Sequence, residues 1–130
     1  MRRGPASAAV GAAIAVGVAV FALGLGATRD APRTQRAAGD SDRGRTAIED
    51  YGCGGCHTIP GVRGANATVG PPLTGWAQRS YIAGRLANTP ANVARWVSAP
   101  QAVEPGTAMP DMGVSRAAAR DIAAYLFRLR

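Results

Sequence analysis

Cys53-Gly54-Gly55-Cys56-His57 is the stretch that most narrows what this chain can become. Two thiols at this spacing lie about one helical turn apart, and an imidazole follows directly. Cys-x-x-Cys-His is the attachment pattern of a c-type haem. The thiols form thioethers with two vinyl groups of one porphyrin, and the imidazole is held beneath the iron as a fifth ligand. The inventory agrees, because the sequence holds 2 cysteines and 1 histidine and all lie in this run. Other uses of the same residues fit less well. A thioredoxin-like dithiol normally follows a strand in a βαβ pattern, and no strand pattern precedes Cys53. A structural zinc site needs four Cys or His ligands, against three here. A plain disulfide leaves His57 without a role.

With 130 residues the chain has room for one small domain and a further segment. Its 15 basic residues are all arginine and outnumber the 8 acidic ones, for a net charge of +7. Nucleic acid is a poor match for that surplus, because Trp76, Trp96, Tyr51, Tyr81 and Tyr125 are not interleaved with a basic stripe. A membrane surface or an acidic protein partner suits it better.

The N-terminal segment points to the membrane. Arg2 and Arg3 precede an uncharged run of 23 residues from Ala6 to Thr28, enough at about 1.5 Å per residue to cross a hydrocarbon core of roughly 30 Å. A cleaved signal peptide is the rival, with Ala22 and Gly24 as small residues near a cleavage point. The run exceeds the about 7–15 apolar residues usual in such signals, so the expectation is a retained single-pass anchor over residues 1–28. Arg2 and Arg3 then stay cytoplasmic and the rest is exported to the periplasmic side of the cell membrane. Residues 29–43 show no hydrophobic period and many breakers, and are expected to be a flexible linker with a reach of roughly 20 Å. A haem-carrying domain is expected over residues 44–130.

Within that domain Gly44 to Tyr51 has helical spacing, with Ala47, Ile48 and Tyr51 on one side. Gly44 suits a close helix crossing. Residues 58–75 are rich in Gly and Pro and predict a long loop, reasonable if a cofactor supplies the apolar surface it lacks. Gly70-Pro71-Pro72-Leu73-x-Gly75, coming after Cys-x-x-Cys-His, resembles the Gly-Pro-x-Leu-x-Gly loop of class I c-type cytochromes. The resemblance implies that the Pro71 carbonyl accepts a hydrogen bond from His57, which orients the ring. It also places Arg79 near a haem propionate, with a solvated surface arginine as the equal alternative.

Thr89-Pro90 reads as a helix start, with Thr as N-cap and Pro at the first helical position. Val93, Trp96 and Val97 share one face, and Pro100 ends the helix. By the resemblance, Trp96 lines the haem pocket. Pro105-Gly106-Thr107-Ala108-Met109 is similar to the family's Pro-Gly-Thr-x-Met segment, which implies Met109 as the sixth ligand of the iron. Elimination leaves two thioethers beyond the anchor, Met109 and Met112, since the sequence has no second His, no Lys and no further Cys; an open or water-bound sixth position is the other alternative. Met112 matches the pattern less well and is expected to be a packing residue. A last helix starts at Ser115, with Ala118, Ile122, Tyr125, Leu126 and Leu129 at helical spacing.

The expected fold is all-α: a small cytochrome c fold of about three main helices around one covalent haem c, preceded by a single transmembrane helix. The haem-binding set is Cys53, Cys56, His57, Pro71, Arg79, Trp96 and Met109, with His57 and Met109 on the iron. With both axial positions filled, no substrate site remains, so the expected role is one-electron transfer and not catalysis. The expected partners are respiratory redox proteins, such as a quinol-oxidising complex and a terminal oxidase. A fixed subunit of a respiratory oxidase or reductase is the nearer alternative. A haem-based catalyst or gas sensor is the more distant one.

Overall fold

A computed structural model describes residues 38–130. The expected anchor at residues 1–28 and most of the expected linker lie outside the described residues. No helix among the described residues is long and apolar enough to cross a membrane. In chain order they form α1 (Ser41–Asp50), β1 (Tyr81–Ile82), β2 (Leu86–Ala87), α2 (Pro90–Ser98), α3 (Pro100–Val103) and α4 (Arg116–Leu126). Single 3-10 turns occur at Cys53–Gly55 and Trp76–Gln78.

Helix α1 begins three residues before the Gly44 start that its apolar spacing suggests. The cause is Asp40, an extended residue whose carboxylate accepts from Asp42 N at 3.0 Å and Arg43 N at 2.9 Å. This caps two of the four free N–H groups at the helix start. Residues 41–43, expected to end the linker, are therefore helical. They are also tied to the far end of the chain. Asp121 accepts from Asp40 N at 2.7 Å, from Arg43 Nε at 2.9 Å and from Arg43 Nη2 at 3.1 Å. Asp121 is only 9% exposed, and three partners offset the cost of burying its charge.

The crossing of α1 and α4 is close because α1 offers no side chain at the contact. A Cβ on Gly44 would overlap the backbone carbonyl of Asp121, and one on Gly39 would overlap that of Arg120. Ile48, one turn further along, is 1% exposed. On α4 the expected face is buried at Ile122, Tyr125 and Leu126. Ala119 and Ala123 are buried as well, at 0% and 1% exposure, being small enough to let the helices approach. Each large apolar side chain so buried stabilises the fold by about 1.5–3 kcal/mol. The half-exposed Arg45–Glu49 pair at 3.1 Å adds about 0.3–0.5 kcal/mol. Packing decides the stability.

The remaining caps follow local rules. Thr89 accepts from Asn92 N at 3.2 Å with Pro90 at the first helical position of α2, and Ser115 accepts from Ala118 N at 3.2 Å on α4. Ala99 leaves the helical region at φ −154° and ψ 64°, and Pro100 opens α3 as a fully buried residue. Tyr125 donates its hydroxyl to Pro60 O at 2.6 Å. Burial raises its pKa, which keeps that donor protonated.

Besides the short α3 that Pro100 opens, two elements were not expected. One is the antiparallel pair β1–β2, with Ile82 opposite Leu86. Its turn has Ala83 at φ 48° and Gly84 at φ 69°, both left-handed as in a type I′ turn. The other is the 3-10 turn at Trp76, where Ala77 N donates to Leu129 O at 2.9 Å and anchors the C-terminus.

Two outcomes follow for stability. Gly44→Ala gains up to about 1 kcal/mol of helix propensity. It meets backbone that cannot rotate away, which costs about 1–3 kcal/mol. The melting temperature should therefore fall by several degrees; an unchanged or higher value would contradict the close crossing. For acid, the backbone hydrogen bond from Arg43 lowers the Asp40 pKa below its ordinary 3.8. Its contribution is thus present above that value and lost as pH falls through the lowered folded pKa. Asp40→Asn, which retains a capping oxygen, should show a smaller loss of melting temperature below about pH 4 than the native chain.

Candidate functional site

Gly52, left-handed at φ 70°, turns the chain out of α1 and into the Cys53–Gly55 turn. Cys56 N and His57 N then both donate to Cys53 O, at 3.2 and 3.1 Å. One backbone carbonyl thus gathers the two thiols and the imidazole into one turn. No disulfide joins the two cysteines. Among the described residues, no group of three or more His, Cys, Asp or Glu side chains could hold a metal ion.

The loop at residues 70–73 is laced to this turn. Gly70 N donates to Cys56 O at 2.7 Å, and Leu73 N donates to Thr58 O at 2.8 Å. Between these two bonds the Pro71 carbonyl meets the ring of His57, whose Nδ1–H donates to it at 2.7 Å. A carbonyl can only accept, so Nδ1 carries the proton, and the tautomer this selects is the one that turns the Nε2 lone pair outward. Gly70 is needed for this arrangement, because a Cβ there would overlap the imidazole.

All seven residues singled out from the sequence line one cavity of about 360 Å³: Cys53, Cys56, His57, Pro71, Arg79, Trp96 and Met109. Its walls are otherwise mostly apolar, with Ile48, Ile59, Leu73, Ile82, Val97 and Ile122 among them. Trp96 is 8% exposed. Met109 is partly buried and packs on the core. Met112 departs from its expected packing role: it is 43% exposed and does not line the cavity. Arg79 is held at the rim by Pro72 O and by Thr74 O, the latter at 3.1 Å, and stacks 5.0 Å from the Trp76 ring centre. It is half-buried, and both hydrogen bonds lie at the exposed edge of the cavity.

Trp76 is the site residue that sequence reasoning passed over. It lines the cavity, is 6% exposed, and its indole N–H is buried without a partner. A large aromatic directly after the Gly75 that ends the loop was the available signal. An unpaired buried donor costs about 1–3 kcal/mol, which a ligand acceptor would recover. The residues therefore fit a haem. Apolar walls suit the macrocycle, two thiols can form thioethers, and one imidazole presents a free lone pair. Trp76 and Arg79 offer donors for an anionic edge.

The family model described as Cytochrome c matches residues 41–130. The chain is also 34% identical over 70 residues to the cytochrome c oxidase subunit 2 of Alkalihalophilus pseudofirmus. That alignment takes in 54% of this chain but only 20% of the relative's length. No solved structure matches the chain. With nearly the whole of the described domain inside the family match, the chain belongs to the cytochrome c family, whose cofactor is a covalently attached haem c.

Proposed function

We propose that this chain is a one-electron carrier of a respiratory membrane, with its iron held between His57 and Met109. The observation that carries the reading is the cavity shared by Cys53, Cys56, His57 and Met109. When bound, the haem supplies a ferric–ferrous couple. Everything else is the work of the chain. Cys53 and Cys56 hold the group covalently. His57 is oriented by Pro71 and presents Nε2 to the iron. Met109 offers a thioether, which favours the ferrous form and raises the potential relative to two imidazoles. His57 and Met109 would together hold the iron and leave no position for a substrate, so the chain would relay electrons and would not be a catalyst in itself. Trp76 and Arg79 bind the propionate edge.

The remaining parts complete this reading. Residues 1–28 anchor the chain in the cell membrane, a linker follows, and the haem domain works on the periplasmic side. Donor and acceptor are neighbouring respiratory proteins, such as a quinol-oxidising complex and a terminal oxidase. A second reading has specific support, since the relative named above is an oxidase subunit. In that reading the same domain is a fixed subunit of a respiratory oxidase. Purification after gentle solubilisation separates the two: co-elution with an oxidase would sink the free carrier.

Replacing Met109 and Met112 singly with Ala tests the ligand set. Met109→Ala should abolish the charge-transfer band of Met-bound ferric haem, lower the potential and open the ferrous form to carbon monoxide. Met112→Ala should leave all three unchanged. If only Met112→Ala altered the spectrum, the ligand assignment would be wrong. Gly70→Ala should tilt the His57 ring away from Pro71 and lower the yield of correctly ligated haem. A normal spectrum and potential in that variant would show that Gly70 is dispensable.

A further inference from the structure

Gln101 is exposed and follows directly on the fully buried Pro100 in α3. Its side-chain amide is wholly engaged with the loop ahead of it. Nε2 donates to Thr107 O at 2.8 Å and to Met109 O at 2.9 Å, while Oε1 accepts from Gly106 N at 3.1 Å. The amide orientation is unambiguous, because a flipped group would turn its oxygen toward two carbonyls.

These bonds matter because the loop has little else to hold it. Residues 104–115 contain no helix or strand. Among the described residues, the bond from Gln101 to Met109 O is the only hydrogen bond made to the backbone of residues 108–112. Pro110 follows without an N–H of its own. The height of Met109 over the cavity is therefore set by two things, the packing of its own side chain and the amide of Gln101.

We propose that Gln101 is a positioning residue for Met109, fixing its loop so that the thioether stays in the cavity and resists displacement by external ligands. This rests on the reading of Met109 as the distal ligand. Pro100 supplies the rigid base, and Gln101 transmits that rigidity to a loop with no ladder of its own. Three hydrogen bonds of ordinary net strength correspond to roughly tenfold or more in the equilibrium between Met-bound and displaced forms.

The test is an imidazole titration of the ferric holoprotein, following loss of the Met–iron charge-transfer band, alongside thermal melting of its helices. The native chain is compared with Gln101→Leu, Gln101→Glu and Met109→Ala. Leu keeps bulk without polar groups; Glu can still accept from Gly106 N but turns a carboxylate toward two carbonyls. Imidazole affinity should rise roughly tenfold or more in Gln101→Leu and at least as far in Gln101→Glu, with the melting temperature little changed. Native imidazole affinity in both variants would overturn the proposal, and so would a fall in melting temperature without any gain in imidazole affinity. The control separates the two levels. If Met109→Ala lost the band while the Gln101 variants behaved as native, only the positioning role would fail. If Met109→Ala kept the band, the ligand reading would fail and take this proposal with it.

Discussion

Gly44 lets the backbone of α1 reach the backbone of α4 at the carbonyl of Asp121, and the side chain of that same aspartate closes the crossing from its other side. The rest of the domain depends on this contact. Helix α1 runs directly into Gly52 and Cys53, so the angle at which it leaves α4 determines where the thiols emerge. The buried face of α4 in turn supplies Ile122 and Leu126 to the cavity wall. Sequence-distant residues are thereby locked at the one place where the cofactor segment takes its direction. The lock is made of absent side chains and one satisfied charge rather than of bulk.

Beyond that crossing the site is built from loops. Between His57 and Gly75 the backbone forms one isolated bridge, Thr58 to Asn66, and no helix. Loops of this length are uncommon in small domains unless they serve a function. Here two backbone bonds, Gly70 to Cys56 and Leu73 to Thr58, hold the loop against the attachment turn. Its Ile59, Val69 and Leu73 line a cavity that a haem would fill. The covalent cofactor of the family thus completes the packing as well as supplying the redox couple, and loop positions come to matter as much as helix positions. His57, Arg79 and Met109 are each steadied by backbone carbonyls or side-chain amides instead of by regular structure.

Features that depend on neighbours in sequence were legible from sequence. The caps at Thr89 and Ser115, the stop before Pro100 and the buried stripe of α4 are local matters of chemistry and period. So was the attachment motif, because its function lies in the spacing of five residues. Features that depend on distant partners were not. The start of α1 at Ser41 is set by the Asp40 cap, but its tie to Asp121, about eighty positions away, exists only in the folded chain. The β-hairpin was hidden because Ala83-Gly84 is a weaker turn signal than Asn-Gly. Trp76 and Gln101 looked like ordinary residues, since the empty donor of one and the three loop bonds of the other exist only in the folded chain. Met112 looked apolar enough to pack, yet it lies three residues past the Met109 loop contact and stays exposed.

The account turns on whether Met109 and His57 hold the iron together. Proton NMR of the reduced holoprotein, with the methionine methyls isotopically labelled, addresses this directly, because a methyl lying over a haem face is shifted far upfield by the ring current. Of the 3 methionines in the chain, one methyl should appear in that region and be assigned to Met109. An upfield methyl assigned to Met112, or three methyls at ordinary positions, would contradict the account.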